Sequence, residues 1–226
     1  VTDITDHLAE IIDRIARASR AVERRPESVT IIAVSKQQPA AAIEAAYHAG
    51  IVNFGESYLQ EALPKMDELR SLPLVWHFVG RLQANKTRQI AERFDWVHTV
   101  DRLRIAERLN EQRPRFAAPQ NVLIQVNQAG EAQKSGVAPD KVGALADAIG
   151  ALPRLTLRGL MTLPPQEGTP RRWFDELAAL QRDLVAAGHA LDTLSMGMSG
   201  DFEAAVAAGA TFVRIGTALF GERPGR

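Results

Sequence analysis

Val29-Thr-Ile-Ile-Ala-Val-Ser35 is an apolar, β-branched run that ends in Lys36, and the chain breaks at Pro39. It reads as a buried strand. Short runs of the same kind recur at 51–54, 74–79, 96–100, 121–127, 156–162, 191–195 and 211–215, separated by alanine- and leucine-rich stretches of helical period. Alternation of this kind argues for parallel strands joined by helical crossovers. Eight strands in 226 residues predict an α/β fold, a closed (β/α)8 TIM barrel in one domain spanning 1–226. An open doubly wound sheet tolerates the same alternation but needs no even count.

Upstream of the first strand, residues 3 to 24 place Ile4, Leu8, Ile11, Ile12, Ile15 and Ala18 at spacings of three and four, an amphipathic helix closed by Pro26. Downstream of the eighth strand only about ten residues remain. The extra amino-terminal helix is therefore expected to cover the gap that a full eighth helix would fill.

Composition narrows the function classes. A formal charge of zero and a pI near 7.2 leave no global footprint for nucleic acid or an anionic membrane. Without cysteine the chain has no disulfide, thiolate nucleophile or cysteine-ligated metal. No stretch approaches the roughly 18 apolar residues of a membrane span, and the first 25 residues are charged and helical in period, so a cytoplasmic protein is expected. His7, His48, His98 and His189 show no metal spacing.

In a barrel the functional face lies at the carboxyl ends of the strands, and the unusual residues collect there. Strand one ends in Ser35-Lys36, strand two in Asn53-Phe-Gly-Glu-Ser57, strand three in Trp76-His-Phe-Val-Gly80, strand six in Gly159-Leu-Met161-Thr162, strand seven in Ser195-Met-Gly-Met-Ser199, and strand eight in Arg214-Ile-Gly216-Thr217. Lysine is scarce, five against twenty-two arginines, which suggests that Lys36 is kept as an amine; desolvation at a strand end favours the neutral form. Met196-Gly-Met-Ser199-Gly-Asp201 leads into a helix over 201–208, and with the Gly216-Thr217 turn it forms an expected anion site.

By the period of two, Arg214 points into the barrel where Val213 and Ile215 point out, and it needs either a ligand or a core carboxylate such as Glu56 or Asp201. His77 lies between Trp76 and Phe78 and reads as a core histidine; Met161, Met196 and Met198 read as packing or wall residues. A Schiff-base lysine opposite a phosphate cradle calls for an aldehyde at one end of the ligand and a phosphate at the other. Pyridoxal 5'-phosphate fits, and so does a sugar phosphate held by a class I aldolase.

The motifs Ala33-Val-Ser-Lys36, Phe54-Gly-Glu-Ser-Tyr58, Trp76-His-Phe-Val-Gly80, Lys134-Ser-Gly136, Gly159-Leu-Met161, Leu194-Ser-Met-Gly-Met-Ser199 and Val213-Arg-Ile-Gly216 run in order along the whole chain. Together they resemble the pyridoxal phosphate homeostasis protein family, single-domain relatives of the alanine racemase barrel. The resemblance implies a cofactor held as a Schiff base on Lys36, phosphate bound by Ser199 and the Gly216-Thr217 turn, and Arg214 facing the pyridine nitrogen. Asn53, Ser57, His77 and Met161 complete the cofactor-binding set that it implies. Family members look like monomeric carriers that buffer vitamin B6, with apo pyridoxal-phosphate enzymes as partners and no established turnover.

The alternative is a racemase or lyase, but racemases of this type add a carboxy-terminal domain that brings a catalytic tyrosine. This sequence ends at Arg226, with Tyr47 and Tyr58 its two tyrosines. Two positions depart from the family pattern: Ser57 stands where relatives usually carry asparagine, and Gln38 where many carry a second lysine.

Overall fold

The computed structural model describes residues 4–131, 133–165 and 169–221. Helix α1 (Ile4–Arg20) precedes eight strand and helix pairs: β1 (Thr30–Val34), α2 (Ala40–His48), β2 (Asn53–Glu56), α3 (Leu59–Glu68), β3 (Val75–Phe78), α4 (Thr87–Arg93), β4 (Trp96–Val100), α5 (Leu103–Gln112), β5 (Gln120–Val126), α6 (Val142–Gly150), β6 (Leu155–Thr162), α7 (Pro170–Ala186), β7 (Thr193–Met198), α8 (Phe202–Ala207), β8 (Phe212–Ile215) and α9 (Thr217–Phe220). Every adjacent pair of strands is parallel, and β1 pairs with β8 to close the barrel in sequence order. The expected (β/α)8 architecture is therefore the observed one, and the open sheet is excluded.

The strands sort their residues by the period of two. Ala33, Phe54, Phe78, Val97, Val122, Leu160, Val213 and Ile215 belong to the continuous apolar core. Ile32 and Arg214, paired across the closing ladder, share the opposite parity and face the barrel interior. Side chains such as Phe54, Phe94, Phe174 and Phe202 are fully buried, each contributing about 2–3 kcal/mol of hydrophobic stabilisation.

Helix α1 packs on α8 and α9, so it does cover the position where a long eighth helix would lie. Leu8, Ile11 and Ile15 are buried on it, but Ile12 is 52% exposed. Adjacent residues are about 100° apart on a helix, so a stripe centred on Ile11 turns Ile12 to solvent. The helix ends at Arg20, before Pro26: Glu23 takes a φ of 56°, and Arg24 folds back so that its guanidinium donates to the carbonyls of Val206 and Ala210.

Two strand boundaries differ from the sequence expectation. Strand β2 begins at Asn53 rather than ending near it, because its ladder with β3 starts at the Asn53–Val75 pair. Strand β7 continues past Ser195 to Met198 through an irregularity in its register with β8. Gly197 makes that extension possible. Its φ is +90°, and a Cβ there would lie 2.6 Å from Ala205 Cβ. Gly197→Ala should cost about 2 kcal/mol or more, lowering the melting temperature by roughly 4–8 °C in a thermal scan.

Candidate functional site

The closing ladder builds the mouth. It pairs Ile32 with Arg214 and Ala33 with Ile215, so Val34 and Gly216 come level one step higher and Lys36 emerges beside them. Ile32, Val34 and Lys36 share one parity, and it is the inward one. A cavity of about 290 Å³ opens there, lined by Lys36, Ser57, Ser199, Gly200, Arg214, Gly216 and Thr217 together with the apolar Val34, Val79, Leu163 and Met198. Its size lies at the lower edge of the roughly 300–1,000 Å³ usual for small-molecule sites.

The turn that carries Lys36 is held from outside the barrel. Gln37 adopts a φ of 62°, and its N–H donates to the Glu61 carboxylate. Lys65 Nζ donates to Glu61 Oε1 at 2.8 Å, to Glu56 Oε1 at 2.9 Å and to the Ser35 carbonyl at 2.9 Å. Ser35 Oγ adds a bond to Glu56 Oε1 at 2.7 Å. Both neighbours of Lys36 are thus tied to one ion cluster, in which the Glu56 side chain is fully buried and the Lys65 side chain is 9% exposed. Burial pushes the Glu56 carboxyl above its ordinary range, and the bond from Lys65 works against that shift.

On the far wall, Ser199 Oγ accepts the Ala218 N–H at 3.2 Å, which leaves its own proton to donate into the cavity. Asp201 Oδ1 accepts the Met198 N–H at 2.6 Å and fixes the loop after β7. Gly216 has a φ of −116°, so its backbone does not demand glycine. A Cβ at Gly216 would meet Val34 O at 3.5 Å, an ordinary contact. What the missing side chain leaves open is room in the cavity.

Arg214 is 4% exposed and forms part of the cavity floor. It pairs with neither Glu56 nor Asp201. Its Nη1 donates to Ser195 Oγ at 2.7 Å and its Nη2 to the Thr162 carbonyl at 2.8 Å, while Asp201 acts on it at longer range. Burial lowers its pKa to about 10, which still leaves it a cation at neutral pH. Beneath it, Ser195 Oγ meets His98 Nδ1 at 2.8 Å, and His98 Nε2 meets His77 Nδ1 at 2.9 Å. His77 Nε2 then reaches Asn53 Oδ1 at 3.0 Å. Burial depresses the pKa of His77 to about 3 and that of His98 far below the usual range, with His77 and Arg214 adding to the effect on His98. Both rings are neutral at pH 7.

The structure therefore brings Lys36, Ser57, Ser199, Arg214, Gly216 and Thr217 to one cavity, and it places three expected site residues elsewhere. Asn53 starts β2 and so lies toward the opposite end of the barrel from the mouth. His77 is fully buried between Asn53 and His98, its ring stacked on Trp96 with centroids 5.6 Å apart. Met161 is fully buried on β6, paired with Ser195 and Gln125, and does not line the cavity. Tyr58 is 56% exposed and Tyr47 lies on α2; neither borders the cavity. Lys65 and His98 are structural partners that the sequence hardly announces. The one signal for Lys65 is Glu61 four residues before it, and for His98 its position two residues after Trp96 on a strand.

A barrel of eight parallel strands with a half-buried lysine and a buried arginine at its mouth defines a class, and comparison with known proteins agrees with it. Residues 7–224 match the family model "Alanine racemase, N-terminal domain". The pyridoxal phosphate homeostasis protein of Pseudomonas aeruginosa is 53% identical over 99% of this chain and 97% of its own length. That of Escherichia coli K12 is 49% identical over 99% and 98%. Among solved structures, PipY of Synechococcus elongatus with PLP bound superposes with a TM-score of 0.84 at 38% identity, over 97% of this chain and 100% of that one. The chain belongs to the alanine racemase N-terminal domain family, in its pyridoxal phosphate homeostasis protein branch.

Two measurements test the electrostatics of the site. Lys65→Met leaves the buried Glu56 charge without its cation and should cost about 3 kcal/mol at pH 7 in urea unfolding, with the deficit relative to the parent shrinking as the pH falls and Glu56 takes up a proton. Separately, His77 and His98 protonate in the unfolded chain near pH 6.5 but not in the folded one, so the unfolded state binds more protons below that pH. Stability should fall as the pH drops, by about 2 kcal/mol per ring between pH 7 and 5.

Proposed function

We propose that this chain binds pyridoxal 5'-phosphate in the mouth cavity and acts in its intracellular homeostasis, as a carrier rather than a catalyst. The observation that carries the reading is the meeting of an amine, a guanidinium and three hydroxyls in one cavity: Lys36, Arg214, Ser57, Ser199 and Thr217. The donor set fits a ligand that is anionic at one end and carbonyl at the other, and the open face of Gly216 gives the anion room against the backbone.

Such a cofactor would supply an aldehyde, the chemistry that a lysine amine is suited to hold. Lys36 is the residue to do so: it is the cavity's one lysine among the described residues, and its turn is clamped on both sides. Ser199 and Thr217 would hold the phosphate. Arg214, a cation at the cavity floor, would oppose protonation of a ring nitrogen bound near it. An unprotonated ring is a weak electron sink, so the site favours holding over carbanion chemistry.

The names of the close relatives support the homeostasis role, and the PLP-bound PipY supports the ligand. No helix of the described residues is long and apolar enough to cross a membrane. Our reading has the protein working in the cytoplasm as a monomer and passing cofactor to apo pyridoxal-phosphate enzymes. Protein incubated with pyridoxal phosphate should be yellow, and borohydride followed by peptide mapping should place the reduced adduct on Lys36. Lys36→Ala should be folded and colourless; a visible band that survives in that variant would remove Lys36 from the role.

A further inference from the structure

The barrel interior below the cavity holds a polar chain of one composition along its whole length: side chains bonded end to end. Asn53 Oδ1, His77, His98, Ser195 Oγ and Arg214 Nη1 follow one another at 3.0, 2.9, 2.8 and 2.7 Å, each ring using both nitrogens. The two ends fix the protons. A guanidinium can only donate, and an amide oxygen can only accept. The four contacts need four hydrogens, and with neutral rings the chain has four to give: one guanidinium N–H, one hydroxyl and one N–H on each imidazole. A single arrangement puts one hydrogen in every contact. Arg214 donates to Ser195, Ser195 donates to His98 Nδ1, His98 donates from Nε2 to His77 Nδ1, and His77 donates from Nε2 to Asn53 Oδ1.

We propose that Asn53, His77, His98 and Ser195 are positioning residues that form a proton-ordered chain of dipoles, holding Arg214 charged and fixed at the cavity floor without a carboxylate partner among the described residues. The functional side of this proposal rests on the cofactor reading given above. Each link turns its lone pair toward Arg214 and its hydrogen toward Asn53, so the dipoles add and the cation sits at their negative end. A carboxylate partner would bring a full negative charge and cancel the guanidinium's field at the mouth. Neutral dipoles solvate the cation and leave its net charge available to a ligand. Thr162 O completes the solvation of the second terminal nitrogen at 2.8 Å.

Packing locks the order in place. His77 stacks on Trp96 at an interplanar angle of 13° and His98 on Phe212 at 21°, so neither ring can turn over without breaking the stack. The groups facing the two rings are Asn53, Trp96, Phe212, Ser195 and, as the charged one, Arg214. A nearby cation resists protonation of His98 and so protects the ordering.

The ordering is read without any ligand, by ¹⁵N NMR of the two imidazoles in the unloaded protein. Both rings should remain in the neutral Nε2–H tautomer from pH 8 to pH 5; an Nδ1–H form, or a protonated ring in that interval, overturns the proposal. Asn53→Asp places a carboxylate at the far end, which should make His77 doubly protonated at pH 7. His77 Nδ1–H then fills the contact with His98, and His98 must change to the Nδ1–H tautomer although nothing touching it was altered. An unchanged His98 beside a protonated His77 would refute the ordering, and a purely structural role would not produce the switch.

Positioning is read by titration with pyridoxal phosphate. Ser195→Ala should weaken binding about tenfold, the loss of one hydrogen bond to a charged group, while Ser195→Thr, which keeps the hydroxyl, should stay within about threefold. Equal affinity for Ser195→Ala and the parent would overturn the positioning role. If the parent itself fails to bind pyridoxal phosphate, the cofactor reading falls, and the NMR arms still decide the ordering.

Discussion

The ladder between β1 and β8 is the constraint on which the site depends. It joins the first strand to the last in a fixed register, Ile32 against Arg214 and Ala33 against Ile215, and thereby sets an amine from one end of the sequence above a guanidinium from the other. Register in a sheet whose faces are both buried is strongly specified, because a shift of one residue would turn Arg214 into the apolar layer beneath the helices and Ile215 into the polar interior. Barrel closure and site geometry are one event. Neither the lysine turn nor the anion loop has a meaning for the other until the ladder is formed.

Around that ladder the barrel divides its polar groups by direction. Outside the strands, Glu56, Lys65 and Glu61 form a cluster that grips the turn on both sides of Lys36. Inside, where eight-stranded barrels usually stack aliphatic side chains in layers, this one runs a histidine and serine chain beneath the guanidinium. Burying so many polar groups is costly, and the cost is offset where each donor meets an acceptor. The two sets act on the two ends of one cavity: the outer one fixes the amine, the inner one the cation. Glu56 and Lys65 in the outer set and His77, His98 and Ser195 in the inner one are buried, which limits how far solvent can disturb either.

Much of this was legible in the sequence because it follows from period and position. Eight β-branched runs alternating with helices imply the closed barrel, and the parity of Val213, Arg214 and Ile215 already turns the arginine inward. Lys36 stands out because lysine is scarce and the strand before it is so apolar. What period does not give is where a hydrogen-bonded ladder starts, and Asn53 shows the consequence: it opens β2 instead of closing it, which puts it toward the end of the barrel opposite the mouth. His77 was readable as a core histidine, but its pairing with His98 was not, since the partners of the two rings lie on β2, β3, β4 and β7 and only the closed barrel brings them together. Lys65 was hidden for a similar reason, because its acceptors Ser35 and Glu56 come from two other elements. Ile12 lies about 100° around the helix from the buried Ile11 and so cannot share its face.

The seal made by α1 carries a consequence for how the molecule comes into being. His7 bonds the Leu219 carbonyl, Arg14 meets Glu203, and just past the helix the Arg24 guanidinium reaches Val206 and Ala210, so the first helix and its exit are tied to residues 203–219. During synthesis that helix emerges with its apolar stripe uncovered and stays so until α8 and α9 have left the ribosome. Native pairings between such distant residues are slow to form and leave hydrophobic surface open in the meantime. Newborn chains of this protein are therefore expected to depend on nascent-chain chaperones until α8 and α9 have been made.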